Sequence, residues 1–431
     1  MLSPEIVYPL LLAWVEALGA IPHVTARQAL AHRLSAVLLG QSLAPAALMR
    51  ALLSPETSPA RQRYLRVARS WRGRWLTSAW LTPVLVRAVL ALTQERAPVL
   101  ALDSVRCGRW EVYTVGLVWH RRTLLVGWTV LPYPLPRGVF TPAVCALLTR
   151  VAEAWPADAP PPHLVADRGF PSRAFFGVLA RLGWEYTVRL RATDVVWVCG
   201  HKQSVRALLE AACQEGWQQQ EAVYGGRAQG TAAQLVIGRG LVVLPHHQRD
   251  AGSARARQHR QQRRQHNLHS KHPRQRPDAS AQTDSWVVLF TTAPVLLEAV
   301  RCYRQRWSIE GTYRDGQSGW DGRHGWDLEP TLARQRQGAV VEQMVGLWAL
   351  ALLVQCWVGD QIGQPDAVAA AVAARRGWTT TGRLSVWARG RFAFLDQSGV
   401  LATWLPQTLA AGTARLADAP PLPARRRPAA A

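Results

Sequence analysis

The sequence predicts an α/β protein, a mixed sheet flanked by helices, preceded by a helical N-terminal region. Three observations carry this. Residues 98–131 hold three apolar runs of strand length, VLALDSV, WEVYTVGLVW and TLLVGWTVL, separated by Arg/Gly/Cys and His-Arg-Arg turns. The pattern then alternates between helix and strand: AVCALLTRVAEAW, HLVADRG, PSRAFFGVLARLG and EYTVRLR. Later, Arg301 to Gln317 reads as one helix, with Gly311 the weak point in its middle.

In order along the chain, residues 1–95 read as helical. Thr25 caps a helix running to Gly40, and Ser42 caps a second with Pro45 in its first turn. Two short helices split at Gly40-Gln41 resemble a helix-turn-helix, so this region is expected to bind DNA; an ordinary helical hairpin fits the same pattern. RQRYLRVARSWRGRW, residues 61–75, interleaves arginine with Tyr64, Trp71 and Trp75. Such a segment suits phosphate tracking, or is simply a solvated helix face.

Residues 96–191 form the first part of the sheet domain. Three antiparallel strands followed by strand–helix units is the order of the ribonuclease-H-like fold. Thr141-Pro142 opens the first helix after the meander, with proline in its favoured first turn. Residues 192–285 read as a β-rich insertion, with strand-like VVWVCG, AVYGG and AQLVIGRGLVVLP. Its second part, 246–284, is basic and nearly free of apolar residues, so it is expected to be a disordered loop. His259, His266, His269 and His272 lie in that loop with neither cysteines nor a packed frame to make a metal site. WVVLFTT, residues 286–292, returns as a strand, and 286–360 complete the domain. Leu332 to Trp357 is a long apolar helix; Glu342 and Gln343 within it argue for burial rather than a membrane span. Residues 361–431 give a short strand at VWARGRFAFL and a disordered Ala/Pro/Arg tail.

The chain of 431 residues carries a net charge of +23, and lysine occurs only at Lys202 and Lys271. An arginine-borne excess of this size points to a polyanion, nucleic acid first and an anionic membrane surface second. The six cysteines are scattered with no Cys-x2-Cys pair, which fits a reducing cytosol and argues against a zinc or disulfide framework. Glu5 and the lack of a basic leader argue against a signal peptide. No phosphate-binding glycine loop or dinucleotide fingerprint is present.

The chemistry is expected of carboxylates. Asp103 and Asp167 end apolar runs that read as buried strands, where an unpaired carboxylate is costly. At 100° per residue, Tyr303, Arg306, Glu310, Arg314 and Gln317 fall on one stripe of the Arg301–Gln317 helix, with Cys302, Ile309 and Tyr313 beside it facing a core. Taken alone, the stripe is an exposed face gaining about 0.2–0.5 kcal/mol per Glu–Arg pair. Two strand aspartates and one helix glutamate are the donor set that hard divalent cations require, and two such ions can clamp a phosphodiester.

Asp103, Asp167-Arg168-Gly169-Phe170 and Tyr303-x2-Arg306-x3-Glu310 resemble the three blocks of bacterial insertion-sequence transposases of the DDE class. The group is the IS-four-type one, whose third block continues to a lysine; Gln317 stands at that place. The resemblance implies a ribonuclease-H-like catalytic domain interrupted by a β-rich insertion. It implies cut-and-paste transposition by strand cleavage and strand transfer at terminal inverted repeats. Asp103, Asp167 and Glu310 would be the catalytic residues, holding two Mg2+ ions, with Mn2+ as a substitute. Tyr303, Arg306 and Arg168 would contact DNA phosphate, Arg314 would stand in for the missing lysine at Gln317, and Trp286 would stack on a flipped base unless it is a core tryptophan. The partners implied are double-stranded DNA, as transposon ends and target, and a second copy of the chain in the DNA complex, with no membrane. The location implied is the cytoplasm, at the nucleoid when bound to DNA. Two alternatives stay open: a catalytically impaired DNA-binding relative, and another nuclease on the same fold.

Overall fold

The computed structural model describes residues 4–19, 21–51, 75–212, 218–239, 286–317, 326–361, 385–395 and 404–420. The chain forms two compact units, one of residues 1–165, 178–184 and 305–431, the other of residues 166–177 and 185–304.

Unit one is built on the predicted meander: β1 (Val99–Cys107), β2 (Trp110–Trp119) and β3 (Arg122–Pro132). The pairings are antiparallel, with Asp103 opposite Thr114 and Trp119 opposite Arg122, and β4 (His163–Ala166) follows in the strand order β3-β2-β1-β4. The β2–β3 hairpin closes on two residues, His120 and Arg121, both at positive φ (47° and 62°). That is the twist a two-residue hairpin favours, here reached without glycine.

Helices α1 (Pro4–Ala17), α2 (Val24–Gly40), α3 (Pro45–Ala51), α4 (Ser78–Thr93) and α5 (Phe140–Ala154) belong to this unit. The N-terminal helices expected as a DNA-binding domain at 1–95 therefore lie in the same unit as the meander, and α4 packs on β3. The expected break falls at Gln41, which ends α2 in the left-handed conformation. The N-cap of α2 is His23 rather than Thr25. Gln41 is buried and bonds Gln355 and Trp326, so the turn is a structural joint. Most of the basic segment at 61–75 lies outside the described residues.

Unit two holds α6 (Arg173–Leu182) in its first half, β5 (Glu185–Arg189), β6 (Val195–Val198), β7 (His201–Ser204), α7 (Val205–Ala212), β8 (Gln218–Tyr224), β9 (Thr231–Arg239), β10 (Trp286–Thr291) and α8 (Leu296–Gln305) up to Arg304. Its strand order is β5-β10-β9-β8-β6-β7. The insertion expected at 192–285 thus continues a sheet begun by β5 and β10. Phe176, Tyr186, Tyr224 and Phe290 form its aromatic core, with ring centroids 4.8–6.1 Å apart. The basic loop at 246–284 lies outside the described residues.

In unit one the chain continues through α9 (Trp307–Gly316), α10 (Leu328–Ala333), α11 (Gly338–Gln361), α12 (Val386–Leu395) and α13 (Trp404–Ala417). Helix α11 is long and apolar enough to cross a membrane, but 83% of its apolar stretch is buried in the protein, as an all-round apolar core helix should be. The strand expected at VWARGRFAFL is instead helix α12. The reason is packing: Gly390 on α12 meets the Gln355 carbonyl, and Gly359 on α11 meets the Val386 carbonyl, so two glycines let the helix backbones touch. The tail from 421 lies outside the described residues.

Candidate active site

The helix expected over 301–317 is two helices, α8 and α9, interrupted at Arg306. Arg306 keeps helical dihedrals (φ −52°, ψ −35°), yet the Ile309 amide bonds back only three residues, to the Arg306 carbonyl. The interruption falls at a residue whose side chain binds two carboxylates. Arg306 Nη1 donates to Asp103 Oδ2 and Nη2 to Glu310 Oε1, each at 2.8 Å. Its side chain is 3% exposed, against 18% for Asp103 and 37% for Glu310. One guanidinium therefore spans two carboxylates that lie far apart in sequence, a charge-assisted arrangement stronger than ordinary hydrogen bonds. Asp103 also accepts its neighbour Ser104's amide at 2.8 Å. Beside the cluster, the Arg306 guanidinium sits 4.6 Å above the Trp307 ring.

In unit two, Asp167 follows β4 and is half-buried. Tyr303 donates its hydroxyl to Asp167 Oδ1 at 3.1 Å, and Arg189 Nη1 lies 4.0 Å from the same oxygen. The turn after Asp167 is gathered by Arg191, whose Nε and Nη2 donate to the carbonyls of Arg168 (2.5 Å) and Gly169 (2.7 Å).

Several expectations need correcting here. Tyr303 is not on an exposed stripe: it is fully buried among Val236, Val287, Leu289, Ala299 and Val300, with its hydroxyl on Asp167. Arg306 is buried too, so in this conformation neither residue faces solvent. Gln317 lies beyond the helix end, in extended backbone (φ −76°, ψ 156°), so the stripe stops at Arg314, which is exposed. Cys302 is half-buried, whereas Ile309 and Tyr313 are core residues as expected. Arg168 is exposed, and Trp286 opens β10 opposite Arg239. Arg189 and Arg191 lie outside the three sequence blocks. The signal was there in EYTVRLR, two arginines two apart, which on an extended chain point the same way.

The carboxylate oxygens of Asp103 and Glu310 suit a hard divalent cation. Among the described residues, no three His, Cys, Asp or Glu side chains form a group ready to hold a metal ion. Within unit one the cation between the two carboxylates is Arg306.

An α/β chain with helices about a mixed sheet that opens with an antiparallel meander is consistent with a ribonuclease-H-like domain. Residues 141–326 match the family model described as the transposase DDE domain, and over this stretch the resemblance to DDE transposases holds. The match takes in Asp167, Tyr303, Arg306, Glu310 and Gln317; Asp103 precedes it. The match does not distinguish the insertion-sequence subgroup. No curated protein matches the sequence.

Proposed function

We propose that the chain is a transposase that cleaves DNA strands and joins them at a new site, with Asp103, Asp167 and Glu310 as its acidic triad. The observation that carries this reading is the Arg306 bridge. It gathers Asp103 and Glu310 at one guanidinium, and a carboxylate pair so gathered is what divalent-ion catalysis of phosphoryl transfer needs. Asp103 and Glu310 would hold Mg2+, which would supply Lewis-acid polarisation of the scissile phosphodiester. The protein's own groups supply the rest. Asp103 and Glu310 present their carboxylates from a half-buried setting. Tyr303 and Arg189 orient the Asp167 carboxylate, and Arg191 fixes the turn that presents Arg168 to solvent. Arg314 offers an exposed cation to backbone phosphate, and the net charge of +23 favours the polyanion throughout.

The substrate in this reading is double-stranded DNA, the ends of the element and its target, with two copies of the chain pairing two ends. Excision and insertion both proceed by attack of an oxygen on phosphorus, with no covalent enzyme intermediate. A second reading is a DNA-binding relative with impaired cutting. It is favoured by Gln317, which is uncharged and lies past the end of α9.

Purified protein, Mg2+ and DNA carrying the sequences that flank the coding region separate the two. Strand cleavage should appear with Mg2+ and fall at least about 100-fold in Asp103→Asn, Asp167→Asn or Glu310→Gln. DNA retention without any metal-dependent cleavage would favour the impaired relative, and unchanged cleavage in all three variants would remove the triad.

A further inference from the structure

Helix α9, which carries Glu310, is fastened to the β1–β3 meander by polar contacts that involve neither Glu310 nor Asp103. Thr312 Oγ1 accepts the Thr123 amide at 2.8 Å and faces the Thr123 carbonyl at 3.3 Å. The Tyr313 hydroxyl meets Thr114 Oγ1 at 2.6 Å, and Thr114 is the cross-strand partner of Asp103. Arg122, the first residue after the hairpin turn, pairs with Asp315 through Nε, while its Nη2 lies 3.5 Å from Asp315 Oδ1. At about 100° per residue, Thr312 and Asp315 fall on the side of α9 away from Glu310, and Tyr313 falls beside it. Gly311 makes room for the pair, since a Cβ there would stand 3.2 Å from Arg122 Nη1.

Apolar packing alone is non-directional and lets a helix slide or roll. Hydrogen bonds weaken steeply when misaligned, and a buried donor that loses its partner is costly. Three such contacts, two to strand β3 and one to β2, together admit one register. We propose that Thr114, Arg122, Thr312, Tyr313 and Asp315 are positioning residues that set the roll and axial register of α9, and so place Glu310 beside Asp103. This rests on the reading of Asp103 and Glu310 as ion-holding carboxylates. The Arg122–Asp315 pair suits a geometric role better than a stabilising one. Both side chains are mostly buried, 18% and 12% exposed, and a buried ion pair commonly gives back in desolvation what it gains in attraction.

The test uses the full chain and Mn2+ alone as probe, titrated calorimetrically without DNA. Asp103→Asn serves as control, and circular dichroism checks the fold. Thr312→Val, which keeps the shape and removes the hydroxyl, and Asp315→Asn should each weaken Mn2+ binding about 10-fold, the range for residues that orient ligands. Thr312→Ser, which restores the hydroxyl, should bind as the parent protein does. Parent-like Mn2+ binding in Thr312→Val or Asp315→Asn, with Asp103→Asn impaired, overturns the clamp and leaves the carboxylate reading standing. Equal weakening in Thr312→Ser and Thr312→Val also overturns it. Parent-like binding in Asp103→Asn overturns both.

Discussion

Arg306 is where charge and geometry meet most closely. A guanidinium 3% exposed between two carboxylates fixes their separation and satisfies their charge at once. Removing it leaves two half-buried like charges facing each other. Arg306→Ala should therefore destabilise the chain by about 2 kcal/mol, less than a fully buried pair would lose because Glu310 is more than one-third exposed. A divalent ion then has more to offer the variant than the parent, because its binding free energy adds to stability. Saturating Mn2+ should raise the melting temperature of Arg306→Ala by several degrees more than that of the parent; an equal rise in both would mean that arginine and ion do not share a place. Asp315 gives a pH signature. Burial pushes its carboxyl up from 3.8 to about 6, against the opposing pull of Arg122, Arg314 and Arg391. A carboxyl raised in the folded state contributes stability that is present below 3.8 and is lost as pH rises through about 6. Urea unfolding should thus show Asp315→Asn gaining on the parent by on the order of 2–3 kcal/mol between pH 4 and pH 8. A constant difference across that window would contradict the shift.

At the scale of elements, the contrast is between those set by local pattern and those set by a distant contact. The meander, α5, β4, α6 and β5 stand where apolar runs and turn residues placed them, because their periods and breakers are local. Helix α12 does not: VWARGRFAFL carries mixed helix and strand periods, and what decides is Gly390 meeting Gln355 on α11. A Cβ at Gly359 would stand 1.7 Å from the Val386 carbonyl, so Gly359→Ala should lower stability by about 2–3 kcal/mol in chemical unfolding. Gly177→Ala is the control. It lies within helix α6 with nothing within 4 Å of an added Cβ, and should raise stability by up to about 1 kcal/mol. If the two substitutions behave alike, the close approach of α11 and α12 is not what fixes α12. The break between α8 and α9 was likewise invisible to periodicity. Helical spacing puts Tyr303 and Arg306 on one stripe, but it cannot register that Tyr303 belongs to the apolar cluster of Val236 and Val287, or that Arg306 reaches for Asp103. Helix α13 has small and apolar residues without a sharp stripe, so periodicity does not mark it.

For the molecule as a whole, the acidic residues were legible because each is an anomaly: a charge closing an apolar strand, or a glutamate between arginines. Their partners were less so. Arg189, Arg191, Arg122 and Asp315 resemble ordinary surface charges in the sequence, and only folding shows which carboxylate or carbonyl each one meets. The division into units also departs from the order read along the chain, since residues 166–177 and 185–304 form one unit while the N-terminal helices join the meander. A domain boundary is decided by which apolar faces cover one another, and sequence order does not state that.

The proposed function rests on Asp103, Asp167 and Glu310 each being a metal-holding carboxylate. Calorimetric titration of Mn2+ into the parent chain and into Asp103→Asn, Asp167→Asn and Glu310→Gln tests it most directly. Each single substitution should weaken binding by at least about 10-fold while leaving the circular dichroism of the fold unchanged. Parent-like Mn2+ affinity in any one of the three would show that the residue holds no metal and contradict its proposed role.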